Sequence, residues 1–81
     1  MIVKVENMEI RGVEKKVSKK NKGEYLVVRV EDTTGRGYEL LDREIGNMQY
    51  YSRGVQCNLT LDLILGSKYT SLNIVGMEVC K

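Results

Sequence analysis

The chain has 81 residues, a net charge of +2, 42% hydrophobic residues and 30% charged residues. That bounds it to one domain over residues 1–81, whose small core buries about 60–65% of the unfolded surface and gains from a partner. It holds no His and two cysteines, Cys57 and Cys80, which excludes the common zinc sites, Ser-His and Cys-His nucleophile pairs and a disulfide framework. Five Tyr are the only aromatics. No pair of acids stands out from a solvated surface, so no catalytic residue, metal site or cofactor is expected. No apolar run approaches the roughly 20 residues of a membrane span, and the start Met-Ile-Val-Lys-Val-Glu lacks the apolar stretch of a signal peptide. A cytoplasmic protein is expected.

There is no Pro, no low-complexity tract and no repeat. Glycines punctuate segments rich in Val, Ile, Leu, Thr and Tyr with period-two alternation, the pattern of short strands joined by turns. The first strand is expected over Met8 to Val17, preceded by an extended Ile2 to Val5, with Gly12 marking a bend or bulge. Ser18 to Gly23 forms a basic loop. The second strand runs from Glu24 to Glu31, with Leu26, Val28 and Val30 toward the core and Tyr25, Val27, Arg29 and Glu31 on the other face. Asp32 to Gly37 is a turn. A short third strand covers Tyr38 to Leu41, and a suitable register would bring Tyr38 near Tyr25.

From Asp42 to Ser52 the strand character lapses. Asp42 is a candidate cap for a turn or two of helix, with Ile45, Met48 and either Gln49 or Tyr51 on one side. Val55 to Leu65 is the clearest strand, alternating Val55, Cys57, Leu59, Leu61, Leu63 and Leu65 with mainly polar residues. After a turn at Gly66-Ser-Lys68, Tyr69 to Val79 is the last strand. Its apolar parity switches between Ile74 and Met77, which predicts a bulge near Val75-Gly76. The fold class that follows is all-β: a five-stranded Greek-key barrel of the OB type with a short helix or loop between strands 3 and 4. An SH3-like barrel is the alternative. The last hairpin carries apolar residues on more than one face, including Ile64 beside Leu65, and is a candidate dimer contact.

The positive charge is gathered on one segment. Lys15, Lys16, Lys19, Lys20 and Lys22 fall within eight residues that contain no acid, so the rest of the chain carries −3. A basic loop running into a strand that opens with an aromatic suits a single-stranded nucleic acid. Lys and Arg contact phosphates and release counterions, while aromatic rings stack on bases of any identity. Lys15, Lys19, Lys20 and Lys22, with Arg29, Arg36 and Lys68, suit the first role. Tyr25, Tyr38 and Tyr69 suit the second, with Val27 on the same strand face as Tyr25. The plain alternative is a solubilising hairpin tip.

Several elements resemble one family. The opening Met1-Ile-Val-Lys-Val-Glu6, Lys22-Gly-Glu-Tyr25 at the second strand, Gly37-Tyr-Glu-Leu40 at the third, Tyr51-Ser-Arg-Gly54 before the alternating strand and Gly66-Ser-Lys-Tyr69-Thr-Ser-Leu-Asn-Ile74 at the final hairpin occur in a shared order. Together they are similar to the filamentous-phage gene five proteins, small dimers that coat single-stranded DNA. The resemblance implies that Tyr25 and Tyr69 lie near the DNA, with Tyr69 on a hairpin reaching toward the partner subunit's groove. It also implies a homodimer through the strand 4–5 hairpin and a passive role in phage or mobile-element replication. Rival expectations are a protein-interaction module using the same sheet face, and an RNA-binding protein.

Overall fold

The computed structural model describes residues 1–20, 22–66 and 70–80. Its longest element is β1, Ile2–Val17, a single strand where the sequence suggests two extended pieces. The first half of β1 pairs with β4 (Gln56–Leu65) and the second half with β2 (Glu24–Glu31), both antiparallel. One strand can serve two neighbours only by bending, and two bulges supply the bends. The first lies between Val5 and Met8, where Asn7 adopts a left-handed φ of 56° and its N–H is held by Asn58 Oδ1 at 3.1 Å. Asn tolerates that region better than most residues. The second lies between Ile10 and Gly12, at the expected bend, with Arg11 as the extra residue.

Each bulge shifts the inward parity by one. Val3 and Val5 oppose the core residues Leu61 and Leu59, then Met8 and Ile10 face inward, then Val13 opposes Val28. This explains why β1 never shows a clean alternation in sequence although it lines the whole barrel.

The remaining elements are β3 (Gly37–Asp42), a 3-10 helix η1 (Ile45–Tyr50) and β5 (Thr70–Val79). The strands close into a barrel in the order β1-β2-β3-β5-β4, with β4 returning to β1. This is an all-β five-stranded closed barrel with a short helix between strands 3 and 4, consistent with an OB-fold. The β3–β5 contact is parallel and thin, with one ladder position, Leu41 opposite Asn73. The bulge expected in β5 is present: Thr60 opposes Gly76 and Leu61 opposes Ile74, which leaves Val75 as the extra residue.

Met8, Ile10, Leu26, Val28, Val30, Leu40, Cys57, Leu59, Leu61 and Ile74 form the core. Burying a side chain such as Leu59 is worth about 1.5–3 kcal/mol. Cys57 is a small core residue, as its place in the alternation predicts, and burial pushes its thiol pKa up. The alternation in β4 outlasts the barrel: Leu61 is buried, but Leu65, on the same parity, is 71% exposed.

The connection after β3 differs from expectation. The helix begins after Glu44, which makes no side-chain cap. Asp42 acts from two residues earlier and from inside the barrel end, where it is 2% exposed. Its carboxylate accepts hydrogen bonds from the Glu44 N–H (2.9 Å), Asn47 Nδ2 (3.1 Å) and the Tyr51 hydroxyl (2.5 Å). Of the candidates for the inward side, Ile45 and Met48 stay exposed and Tyr51 enters the core. Its ring fills the barrel end while its hydroxyl satisfies a buried carboxylate, which neither aliphatic side chain could do. Burial, aided by the bond to Asp42, raises the Tyr51 phenol pKa far above its ordinary value.

Candidate nucleic-acid interface

The basic segment forms the end of the β1–β2 hairpin. Its loop is closed by two backbone bonds, Ser18 N–H to Gly23 O (2.8 Å) and Lys22 N–H to Ser18 O (3.0 Å). Lys22 takes a left-handed φ of 58°, which reverses the chain within six residues. Lys19, Lys20 and Lys22 are exposed.

The hairpin register sorts the lysines by face. Lys16 lies opposite Tyr25, and Lys15 lies opposite Leu26. Directly opposed residues share a face, so Lys16 stands with Tyr25 on the outside of the barrel. Lys15 takes the inward parity at the barrel's end and pairs with Glu24 at 3.1 Å. Lys16 is the residue that sequence reasoning missed. Counting back from the loop on both arms of the hairpin would have found it. Among the described residues, ion pairs engage Lys15, Arg11 and Arg29, and none engages Lys16, Lys19, Lys20 or Lys22.

Away from the loop the outer face changes character. Val27 is opposed by Glu14 on one side and Leu41 on the other. It has outward parity yet is only 6% exposed, so it offers a base almost no surface. Arg29 reaches Glu14 at 3.5 Å and opposes Glu39 on β3, so acids accompany its charge. A half-buried Tyr25 therefore closes a positively charged hairpin end, and the face beyond it is mixed.

Tyr38 and Arg36 lie elsewhere. Tyr38 opposes Val30, a core residue, and so takes the inward parity at the far end of β2, not the Tyr25 face. Five residue steps along β2 separate Tyr25 from Val30, roughly 17 Å at strand geometry. The expected proximity of Tyr38 to Tyr25 is thus corrected by the β2–β3 register. Tyr38 instead supports the turn: its hydroxyl donates to Asp32 Oδ2 at 3.0 Å, which raises the phenol pKa. Asp32 Oδ1 accepts from the Thr34 hydroxyl (2.6 Å) and from the N–H groups of Thr34 (2.9 Å) and Arg36 (3.0 Å). Led by the Thr34 hydroxyl, these bonds hold the Asp32 carboxyl down at about 2. Lys68 and Tyr69 lie outside the described residues.

A second surface feature lies on another side of the molecule. An open groove of about 630 Å³ runs between η1 and the β4–β5 pair. Its walls are mainly apolar, including Tyr50, Ile64, Val75 and Val79, and its charged residues are Asp42, Glu44, Asp62 and Arg43. At its floor the buried Asn73 Oδ1 has no hydrogen-bond partner among the described residues. Among those residues, too, no group of His, Cys, Asp or Glu could hold a metal ion, and no helix is long and apolar enough to cross a membrane. Compared with known proteins, the chain matches no family model, no curated protein and no solved structure.

Proposed function

We propose that this protein binds single-stranded DNA without sequence preference, coating and protecting it during replication of a phage or mobile element. The observation that carries the reading is the β1–β2 hairpin end: four lysines free of ion pairs among the described residues, with Lys16 set directly opposite Tyr25. The order of elements shared with the gene five proteins gives the reading its second support. Lysines neutralise phosphates and set a log–log salt slope of about −0.7 per phosphate on a single strand. Tyr25 offers a ring at the root of that arm, and stacking on it is worth about 1–3 kcal/mol per base. The mechanism is passive, with no turnover and no cofactor. Two copies joined through the β4–β5 hairpin would carry two such arms along one strand.

Tyrosine emission tests the reading directly, since no Trp masks it. Titration with poly(dT) at about 50 mM salt, where electrostatic binding is strong, should quench emission, and added salt should reverse the quench. An unstructured RNA and a duplex of the same length set the preference. Quenching by RNA alone would replace the DNA reading with RNA binding. No quench and no mobility shift with any of the three would leave the hairpin end as a solubilising tip.

A further inference from the structure

We infer that the free edge of β5 pairs antiparallel with the same edge of a second copy, on a two-fold axis at Met77. This rests on the proposal that the chain self-associates through β4–β5, and it assigns the segment that does so.

The edge is open by topology. β5 pairs with β4 along its whole length, but on its other side it meets β3 only at Asn73. Among the described residues, no strand covers Val75 to Val79 on that side. Backbone direction alternates along a strand. Since the Cys80 N–H donates to Gln56 O at 2.9 Å, Cys80 and Glu78 turn their backbone groups toward β4. Val79 and Met77 therefore turn theirs outward, and the alternation ends at the bulge, where Val75 is the extra residue. The groove confirms the opening, because its lining joins Asp62 and Ile64 from the barrel's outer face to Met77 and Val79 of inward parity. A groove can touch both faces of a pair only by running over the strand's edge. Natural sheets guard such edges with charged residues, Pro or bulges; Val75-Gly-Met-Glu-Val79 has no Lys or Pro, and its guards are the bulge at Val75 and the single charge of Glu78.

Charge and register select the occupant. Acids outnumber bases on the groove walls, with Asp42, Glu44 and Asp62 against Arg43, and Glu78 lies on the edge strand itself. A phosphate chain is repelled there, whereas an apolar strand is not. A two-fold pairing centred on Met77 sets Val75 opposite Val79 of the copy and Glu78 opposite Gly76. No like charges face each other across it, and the outward backbone groups of Met77 and Val79 find the partner's. The pairing also covers Val75 and Val79, which are 58% and 56% exposed. One short strand and a few side chains fall at the low end of interface sizes, below about 1,200 Å² in total. An interface of that size is expected to give a weak dimer whose population rises with concentration across the micromolar range.

Sedimentation of the full chain from about 5 to 500 µM, without nucleic acid, tests this. We expect a monomer–dimer equilibrium whose dissociation constant rises at least tenfold in Val79→Lys and stays within about twofold in Leu65→Lys, a change at the exposed hairpin end. Both sites are exposed, so neither substitution opens the core. In a Cys80→Ser background, Met77→Cys should form an intermolecular disulfide, because a hydrogen-bonded antiparallel pair holds its Cα atoms about 5.5 Å apart. A Val75→Cys and Val79→Cys double variant should cross-link as well and spares Met77, which packs on the core. A dimer lost in Leu65→Lys but untouched by Val79→Lys keeps self-association through the hairpin and overturns the edge pairing. If both weaken the dimer, the cross-links decide: their formation supports the edge, and their failure in both cysteine variants overturns it. A monomer at every concentration overturns both. Protection of the Val75–Val79 amides by poly(dT) in a monomer assigns the edge to nucleic acid and overturns it too.

Discussion

The β1–β2 hairpin end and the groove beside β5 carry opposite chemistry on one small barrel. The hairpin end has five lysines within eight residues and no acid among them, with Val17 and Tyr25 as its apolar surface. The groove has apolar walls, more acids than bases, and a floor of buried polar groups around Asp42. A chain of net charge +2 thus separates a cationic end from an apolar groove with more acids than bases. Charge segregated by position acts locally, because solvent and salt screen it beyond about 8–10 Å. The two regions also differ in how they are held. Among the described residues, two backbone bonds close the lysine loop, whereas Asp42, Asn47 and Tyr51 satisfy one another at the groove's floor.

That contrast predicts where mutations unfold the protein and where they only disarm it. The largest effect falls at the groove floor. Asp42→Ala leaves the Tyr51 hydroxyl and Asn47 without their acceptor and should cost about 3 kcal/mol of unfolding free energy in urea melts. Tyr51→Phe, which keeps the ring, should cost about 1–2 kcal/mol. Neither should alter the salt slope of nucleic-acid binding in the folded fraction. The combined Lys19→Ala, Lys20→Ala and Lys22→Ala change should do the reverse. It should leave the melting temperature within a few degrees, weaken poly(dT) on the order of 100-fold at about 50 mM salt, and flatten the log–log slope by about 2. An unchanged slope would show that the loop touches no phosphate.

Two smaller effects sharpen the map around β2. Tyr25→Ala should weaken poly(dT) by about 1–2 kcal/mol and abolish most of the emission quench. Tyr38→Phe, at the opposite end of β2, should leave both nearly unchanged. Equal losses at the two tyrosines would mean that the strand lies along the full length of β2. The smallest effect concerns the β2–β3 turn. The folded Asp32 carboxyl sits at about 2, below its ordinary 3.8, so its contribution is complete above pH 4 and is lost as pH falls toward 2. Amide shifts of Thr34 and Arg36 should move in that window, and Asp32→Asn should remove the movement.

Much of the barrel was legible in the chain because its central strands are simple. Leu26, Val28 and Val30, then Cys57, Leu59 and Leu61, alternate without interruption and are buried as the alternation predicts. Gly12 and the parity change before Met77 both marked true bulges. The bend at Asn7 left no such mark, since only the paired register shows a residue with positive φ there. Lys16 and Val27 were misjudged for one reason: a single strand's alternation names two faces but not what stands on the neighbouring strands. The short helix after β3 was legible from the lapse of strand character. Spacing left Ile45, Met48, Gln49 and Tyr51 as candidates to face inward; the buried carboxylate of Asp42 needed a hydroxyl, and Tyr51 carries one.

The sequence by itself determined the all-β class, the strand count, most strand limits and the gathering of lysines between β1 and β2. Those follow from local alternation, glycine placement and counted charge, which need no knowledge of neighbours. The tertiary structure settled which candidate of the η1 region enters the core and which end of β2 holds Tyr38, and it showed that, among the described residues, β5 meets β3 only at Asn73. Each of these depends on strand register and barrel closure, and a one-residue change of register moves every side chain of a strand to the opposite face.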